Sequence, residues 1–333
     1  MPTKRVRIKD VALRAGVSTG TVSNVLNHPE TVSEATRDHI TKVMTEMNFV
    51  RDASARKLRV GESQSVGVIV RDLSNSFYTE LARGIEDRLA QENCIMMVCS
   101  SDEDPVRESR FVRLFAEQGV RGMLITPFRD TSEQIDMLKA LHIPVVLMDS
   151  ISDTTPSVSV DHVSGGEQAV GHLLDQGHRH IGFINGPERL RPCRERAEGA
   201  VRAVGARGMD PGEVLVPVTV AQMTADSGCQ AMADLLDQAC VTAVFCVNDI
   251  VAMGALRELR RRGLSIPSDV AVVGYDDVAF AAEMMVPLTS VRQPMHDLGW
   301  TAVEMLLDPG EYPRHVTFQP QLVVRESSMY NRN

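Results

Sequence analysis

The sequence predicts an α/β protein: a small three-helix head, a short basic linker, and a body of parallel sheets wound into two lobes. Three observations predict it. The charge is divided unevenly along the chain. The first 48 residues carry the punctuation of three short helices. From residue 64 onward, short apolar runs alternate with amphipathic stretches of helical length.

The 333 residues suffice for two or three domains, and 43% hydrophobic with 24% charged residues is ordinary for a globular protein. The net charge of −9 conceals the asymmetry. Residues 1–60 hold 11 Lys and Arg against 6 Asp and Glu, a net of +5, and the remainder hold 24 against 38, a net of −14. A basic head on an acidic body suits a polyanionic partner.

The head supports this. Ile8 opens a helix whose apolar side is Val11, Ala12 and Ala15, and Gly16 stops it by accepting a left-handed backbone. Val17 plugs the turn and Ser18 caps a second helix with the stripe Val22, Val25 and Leu26. Asn27-His28-Pro29 ends that helix. Ser33 caps a third with the face Ile40, Val43, Met44 and Met47. Two helices joined by a tight glycine turn and braced by a third form the helix-turn-helix pattern. Thr19, Gly20, Thr21 and Asn24 then lie at the N-terminal end of the second helix, where that motif meets base edges in the major groove. Asn pairs bidentately with adenine, Thr offers hydroxyl or methyl, and Ser18 and Ser23 suit phosphates.

Ala53 to Leu58 spans little more than one helical turn, too short to be stable alone. Taken by itself the segment reads first as a basic interdomain linker. Leu58, flanked by Arg56, Lys57 and Arg59, also fits an apolar wedge for the minor groove.

In the body the apolar runs are 66–70, 95–98, 123–126, 145–148, 158–160, 180–184, 214–218, 243–247 and 270–275, with helical stretches such as 77–92, 105–118, 163–176 and 249–262. Nine or more strands over 265 or so residues exceed one small sheet, so two lobes are expected. Ligands of open α/β sheets bind beyond the carboxyl ends of strands. There the chain places Ser74, Asn75, Phe77, Tyr78, Asp149, Asn248, Asp249, Asp276 and Asp277, and Arg196 opens a helix soon after 180–184. Carboxylates, an amide and a guanidinium suit a polyhydroxylated or zwitterionic small molecule. Asp and Asn after strands also serve as turn formers and caps, so both readings stand at this point.

Enzyme signatures are absent: no GxSxG elbow, GxxxxGK[ST] loop or GxGxxG turn follows a strand. His178-Arg179-His180 has no known metal spacing and reads as structural or surface. The six cysteines form no CxxC pair and sit mostly in apolar runs, as buried free thiols would. No metal or cofactor is expected. No apolar run reaches the roughly 18 residues of a membrane span, and the basic N-terminus lacks a secretory pattern, so a cytoplasmic protein is expected.

The order and spacing of IKDVALRAGVSTGTVSNVLN, VSEATRDHI, ARKLR, DLSNSFYTELARGIE, RGMLITP, VVLMD, GHRHIGFING, the Arg196-x-x-Gly199 element, FCVNDIVAMGAL, IPSDVAVVGYDD and LTSVRQPMHDLG resemble the LacI family of bacterial transcriptional repressors over nearly the whole chain. The resemblance implies a helix-turn-helix domain at 1–50, a hinge helix and linker at 51–63, and a periplasmic-binding-protein-like core at 64–330. That core would hold an N-subdomain at about 64–162 and 293–320 and a C-subdomain at about 163–292 and 321–330. It implies a homodimer on a near-palindromic double-stranded operator, controlled allosterically by a small-molecule effector in the cleft between subdomains, a carbohydrate by preference. Thr19, Gly20 and Asn24 fall where base readers lie, Ala55 and Leu58 on the hinge helix, and Leu58 at the minor-groove lever. Asp149, Arg196, Asn248, Asp276 and Gln293 fall at effector contacts, with Ser74 and Phe77 in the matching loop of the N-subdomain.

Departures from the family pattern matter too. Arg51-Asp52 replaces the usual Pro-Asn, Asn75-Ser76-Phe77 lacks the loop proline, and Gly20 has no side chain to read a base, which shifts specificity onto Thr19 and Asn24. No leucine heptads follow Arg325-Glu326-Ser327-Ser328, so a tetramer built on such a tail is not expected. The competing readings are a catabolite-type regulator using a protein corepressor, a transporter's solute-binding protein, and an α/β enzyme.

Overall fold

The computed structural model describes residues 6–49, 63–129, 131–308, 310 and 315–329. Ala55 and Leu58 lie outside the described residues. The chain divides into two compact units, Met1–Ser63 and Gln64–Asn333.

The first unit holds α1 (Ile8–Ala15), α2 (Thr19–Asn27), a 3-10 turn (Pro29–Thr31) and α3 (Glu34–Glu46). Each helix sends one fully buried side chain to the centre: Val11, Val22 and Ile40. Ala12, Ala15 and Val43 complete the core, and Val17, Val25, Leu26, Met44, Met47 and Phe49 close over it half-buried. Gly16 takes φ +68° and turns the chain between α1 and α2, as the sequence requires. His39 Nε2 lies 3.1 Å from the Ala15 carbonyl, bracing the end of α1 from α3.

The second unit opens with β1 (Ser65–Val70), α4 (Ser76–Gln91), β2 (Ile95–Ser100), α5 (Pro105–Gln118), β3 (Gly122–Ile125), α6 (Ser132–Ala140), β4 (Val145–Met148) and β5 (Ser157–Val160). It continues with α7 (His162–Asp175), β6 (Ile181–Asn185), α8 (Arg191–Gly205), α9 (Pro211–Val214), β7 (Leu215–Thr219), α10 (Ala225–Gln238), β8 (Ala243–Cys246), α11 (Asp249–Arg261), β9 (Ala271–Asp276) and β10 (Thr289–Arg292). Then follow α12 (Met295–Leu307), β11 (His315–Phe318) and β12 (Gln321–Val323).

The strands make two six-stranded sheets, ordered β11-β5-β4-β3-β1-β2 and β12-β10-β9-β8-β6-β7. Every pairing is parallel except β10 with β12. Both orders reverse once, at β1/β3 and at β6/β8, and such reversals open a crevice at the carboxyl ends of the strands. Helices cover both faces of each sheet, so the inner strands are buried on both sides and read as continuous apolar runs, while edge strands such as β2 stay partly exposed. The chain passes between the sheets after β5, after β10 and after β11.

Three strands carry no apolar run and escaped the sequence reading: β10, β11 and β12. β10 is central, yet its Thr289 and Ser290 are polar. They are buried because Ser327 Oγ accepts from the Thr289 N–H at 2.8 Å and Ser290 donates to Asp249 at 2.6 Å. Nor does Arg196 open its helix. α8 begins at Arg191 with Pro192 in its first turn, so Arg196 lies in the second turn. The cysteines are all free; Cys94, Cys193 and Cys246 are buried, Cys99 and Cys229 are half-buried, and Cys240 is exposed rather than buried.

Candidate functional site

In the first unit the site is the start of α2. Ser18 has an extended backbone, and its Oγ accepts from the Thr21 N–H at 3.0 Å, so the cap fixes where the helix begins. The apolar stripe faces the core, which turns Thr19, Gly20 and Asn24 outward. All three are exposed, as is Ser18, while Thr21 and Ser23 are half-buried. Ser18 and Thr21 also bond each other through their hydroxyls at 2.9 Å, and Asn27 Nδ2 donates to Ser23 Oγ at 3.1 Å. Those hydroxyls are thus held locally, and the uncommitted exposed surface narrows to Thr19, Gly20 and Asn24. Residues 16–20 spell GxSxG, but the segment joins two helices and Ser18 serves as a cap, so it is no nucleophile elbow.

In the second unit a small, polar-lined cavity opens at the carboxyl ends of the strands of both sheets. Phe77, Asp149, Arg196, Asn248, Asp276 and Gln293 all line it, so six of the seven sequence-predicted effector residues meet there. Ser74 does not. It is exposed, and its hydroxyl is turned to Asp72 at 2.7 Å. Asp249 and Asp277 also serve elsewhere: Asp249 receives the Val278 N–H at 3.0 Å, and Asp277 pairs with Arg292 at 2.7 Å and Arg325 at 2.6 Å.

Each element delivers its residue for a local reason. Asn75 caps α4 through the Phe77 N–H at 3.0 Å, which sets Phe77 and Tyr78 edge to face at 5.0 Å. Asn248 caps α11 through the Val251 N–H at 2.9 Å and also lines the cavity. Asp149 (φ +49°), just after β4, and Asp276 (φ +107°), the last residue of β9, have positive φ, a strained state for a residue with a side chain and a frequent mark of a binding site. Arg196 reaches the cavity because α8 presses on α7. A Cβ on Gly166 would collide with the carbonyl oxygen of Arg196, and one on Gly199 with that of Val163.

The polar groups are densely interconnected. Arg71, at the end of β1, pairs with Asp149 and donates from Nε to the Tyr78 hydroxyl at 2.6 Å. Arg196 lies 3.6 Å above the Tyr275 ring, donates to the Val247 carbonyl at 2.5 Å and stands 3.7 Å from Asp276. Gln293 donates to Asp276 at 2.6 Å, and its Oε1, buried, has no partner. Burial alone would raise the Asp149 carboxyl, but His162 and Arg71 outweigh it and hold it well below the usual range. Burial pushes Asp276 up to about 7, against Arg196 and Gln293, and carries buried Asp249 well above its usual value as well.

Sequence reasoning missed Arg71 and His162. Both directly follow apolar runs, 66–70 and 158–160, within a residue or two, so the strand-end rule could have found them. Tyr275 is fully buried beneath Arg196. His178 bonds Thr242 at 2.9 Å, a structural role. Among the described residues no group of His, Cys, Asp and Glu could hold a metal ion, and no helix is long and apolar enough to cross a membrane.

An exposed recognition helix beside a tight turn, and a separate two-sheet unit with a charged crevice, define a DNA-binding regulator that senses a small molecule. Family comparison agrees. Residues 7–52 match the model "Bacterial regulatory proteins, lacI family", and residues 170–328 match "Periplasmic binding protein-like domain". The chain is similar to the HTH-type transcriptional repressor PurR of Aliivibrio fischeri, with 33% identity over 98% of each chain. It is also similar to the lac repressor dimer bound to operator and an anti-inducer, with TM-score 0.84, 27% identity, and coverage of 98% of this chain and 100% of that one. A ribose-bound LacI family regulator from Enterococcus faecium gives TM-score 0.73 and 30% identity, covering 79% of this chain and 98% of that one. The chain belongs to the LacI family. It is a DNA-binding transcriptional repressor regulated by a small-molecule effector, not an enzyme.

Proposed function

We propose that the protein binds a near-palindromic operator as a homodimer and that a sugar or sugar derivative in the cleft controls that binding. The observation that carries the effector reading is the convergence of Asp149, Arg196, Asn248, Asp276 and Gln293 on one buried cavity. Opposed carboxylates and guanidinium groups can accept from and donate to the hydroxyls of a sugar. The ribose-bound relative supports the choice of a sugar, and the operator-bound dimer supports the DNA arrangement.

On this reading Thr19, Gly20, Thr21 and Asn24 face base edges, Ser18 and Ser23 face phosphates, and Ala55 and Leu58 belong to the hinge at 51–63. The effector bridges an N-subdomain (about 64–162 and 293–320) and a C-subdomain (about 163–292 and 321–330). Phe77 contributes to the wall and Ser74 to its rim loop. The protein acts in the cytoplasm, where the chromosome lies, and needs no cofactor, metal or membrane. Coupling requires the effector to bind the two states of the core with different affinity, typically about 1–3 kcal/mol apart.

The test is selection of genomic fragments by the purified protein, then salt-dependent binding to the enriched DNA with and without a panel of sugars. A palindromic site whose affinity shifts with one sugar is the expected result. Binding that is only non-specific and steeply salt-dependent overturns the operator reading.

A further inference from the structure

His162 is the first residue of α7, a helix that packs on the second sheet, and it is fully buried. Its Nε2 lies 2.8 Å from Oδ1 of Asp149, at the end of β4 in the first sheet. Its Nδ1 lies 3.2 Å from the Tyr275 hydroxyl and 3.4 Å from Arg196 Nε. The partners determine where the proton sits. Arg196 can only donate, so Nδ1 accepts; an ionised carboxylate can only accept, so Nε2 carries the hydrogen. A second proton on Nδ1 would face a guanidinium.

The ring therefore has a different partner on each side of the cleft. Asp149 uses its other oxygen to hold Arg71, so Arg71, Asp149, His162 and Arg196 form one continuous buried chain. Three of the four line the cavity, and His162 stands behind them.

We infer that His162 is a positioning residue of the effector site: as a neutral ring with its hydrogen on Nε2, it holds Asp149 and Arg196 in their effector-facing poses without touching the effector. This rests on the effector reading given above. The charged and titratable groups facing the ring are Asp149 from β4, Arg196 and Arg191 from α8, and Tyr275 from β9. Burial, with help from Arg196 and Arg191, lowers the ring to about 4 against the pull of Asp149, in keeping with a neutral imidazole. Loss of the ring would leave Asp149 and Arg196 each one partner short in a dry site, where unmade bonds are costly.

Two measurements on the full chain test this. Spectra of ¹⁵N-labelled histidine should show His162 neutral between about pH 6 and 8, with its proton on Nε2. A charged ring at that pH, or a proton on Nδ1, overturns the inference. Calorimetry with ribose, cellobiose and uridine then compares the wild type with His162→Phe and His162→Asn. The probe that binds wild type should bind His162→Phe about tenfold or more weakly, the loss expected for one buried charge-assisted bond. His162→Asn, whose amide can both donate and accept, should recover most of that loss, and both variants should hold the selected operator DNA within about threefold of wild type. A Phe variant that binds the probe like wild type overturns the inference. So does an equal loss in both variants, which marks a ring needed only to fill space. If none of the three probes binds wild type, the sugar reading fails, and the spectra alone decide the assignment of His162.

Discussion

The start of α2 and the crevice of the second unit both present polar side chains, but in opposite states. Thr19, Gly20 and Asn24 stand in solvent. Asp149, Arg196, Asp276 and Gln293 are buried, and each is already bonded to another protein group. A base edge meeting α2 displaces only water. An effector entering the cleft must exchange protein–protein bonds for protein–ligand bonds, so its affinity is a small difference between large quantities. Truncation of Thr19 or Asn24 should therefore alter binding alone, and truncation in the cleft should alter binding and stability together.

Arg196→Ala should show the largest effect. It strips Asp276 and His162 of a buried partner, and breaking a buried pair costs about 3–5 kcal/mol. Denaturant unfolding should register that loss, the effector response should vanish, and operator affinity without effector should persist. Full stability in this variant would mean that the cleft is not held together by its own charges. Asn24→Ala comes next, at about 1–3 kcal/mol for the matching base pair with no change in the melting curve. Unchanged sequence preference across an operator library would place the reading face elsewhere.

A pH series sharpens the contrast further. Asp276 is raised to about 7, so below that pH an effector that donates to its carboxylate must displace a proton. Its affinity should fall by up to about tenfold per pH unit below 7 and level off above it. The stability contribution of the same group runs the other way: it is present below the ordinary carboxyl range and is lost as pH rises through about 7. Asp276→Asn should flatten the calorimetric profile; a wild-type profile that is already flat would remove Asp276 from effector contact. The smallest effect belongs to Ser18→Ala, which removes the α2 cap at a cost of about 1 kcal/mol. It should appear as a lower melting temperature of the head, since this residue supports α2 as well as lying on its exposed face.

The sequence disclosed the head almost element by element, because caps and glycine stops act locally: Gly16, Ser18 and Ser33 each do what their chemistry predicts. The inner strands were legible as apolar runs because both of their faces are covered. β10, β11 and β12 were not, since Thr289 and Ser290 become core residues only through partners far along the chain. The site shows the same division. Asp149 and Asp276 stand out as acids after strands, whereas Arg71 and His162 take their meaning from each other and from Asp149, across 78 and 13 residues of chain. Ser74 illustrates the converse, a residue in the right loop whose hydroxyl is claimed by a neighbour two positions away.

The three passages of the chain between the sheets limit how the two lobes can move. They leave from β5, β10 and β11, and these strands lie at one edge of their sheets: β5 beside β11 in one, β10 beside β12 in the other. One tether would let the lobes swivel freely, two side by side would fix an axis, and the third resists twist about the tethers. What remains is close to a single degree of freedom, bending about the line of the crossings. Distance labels placed anywhere across the mouth should then rise and fall together, and a proteolytic cut at any one crossing should release neither lobe.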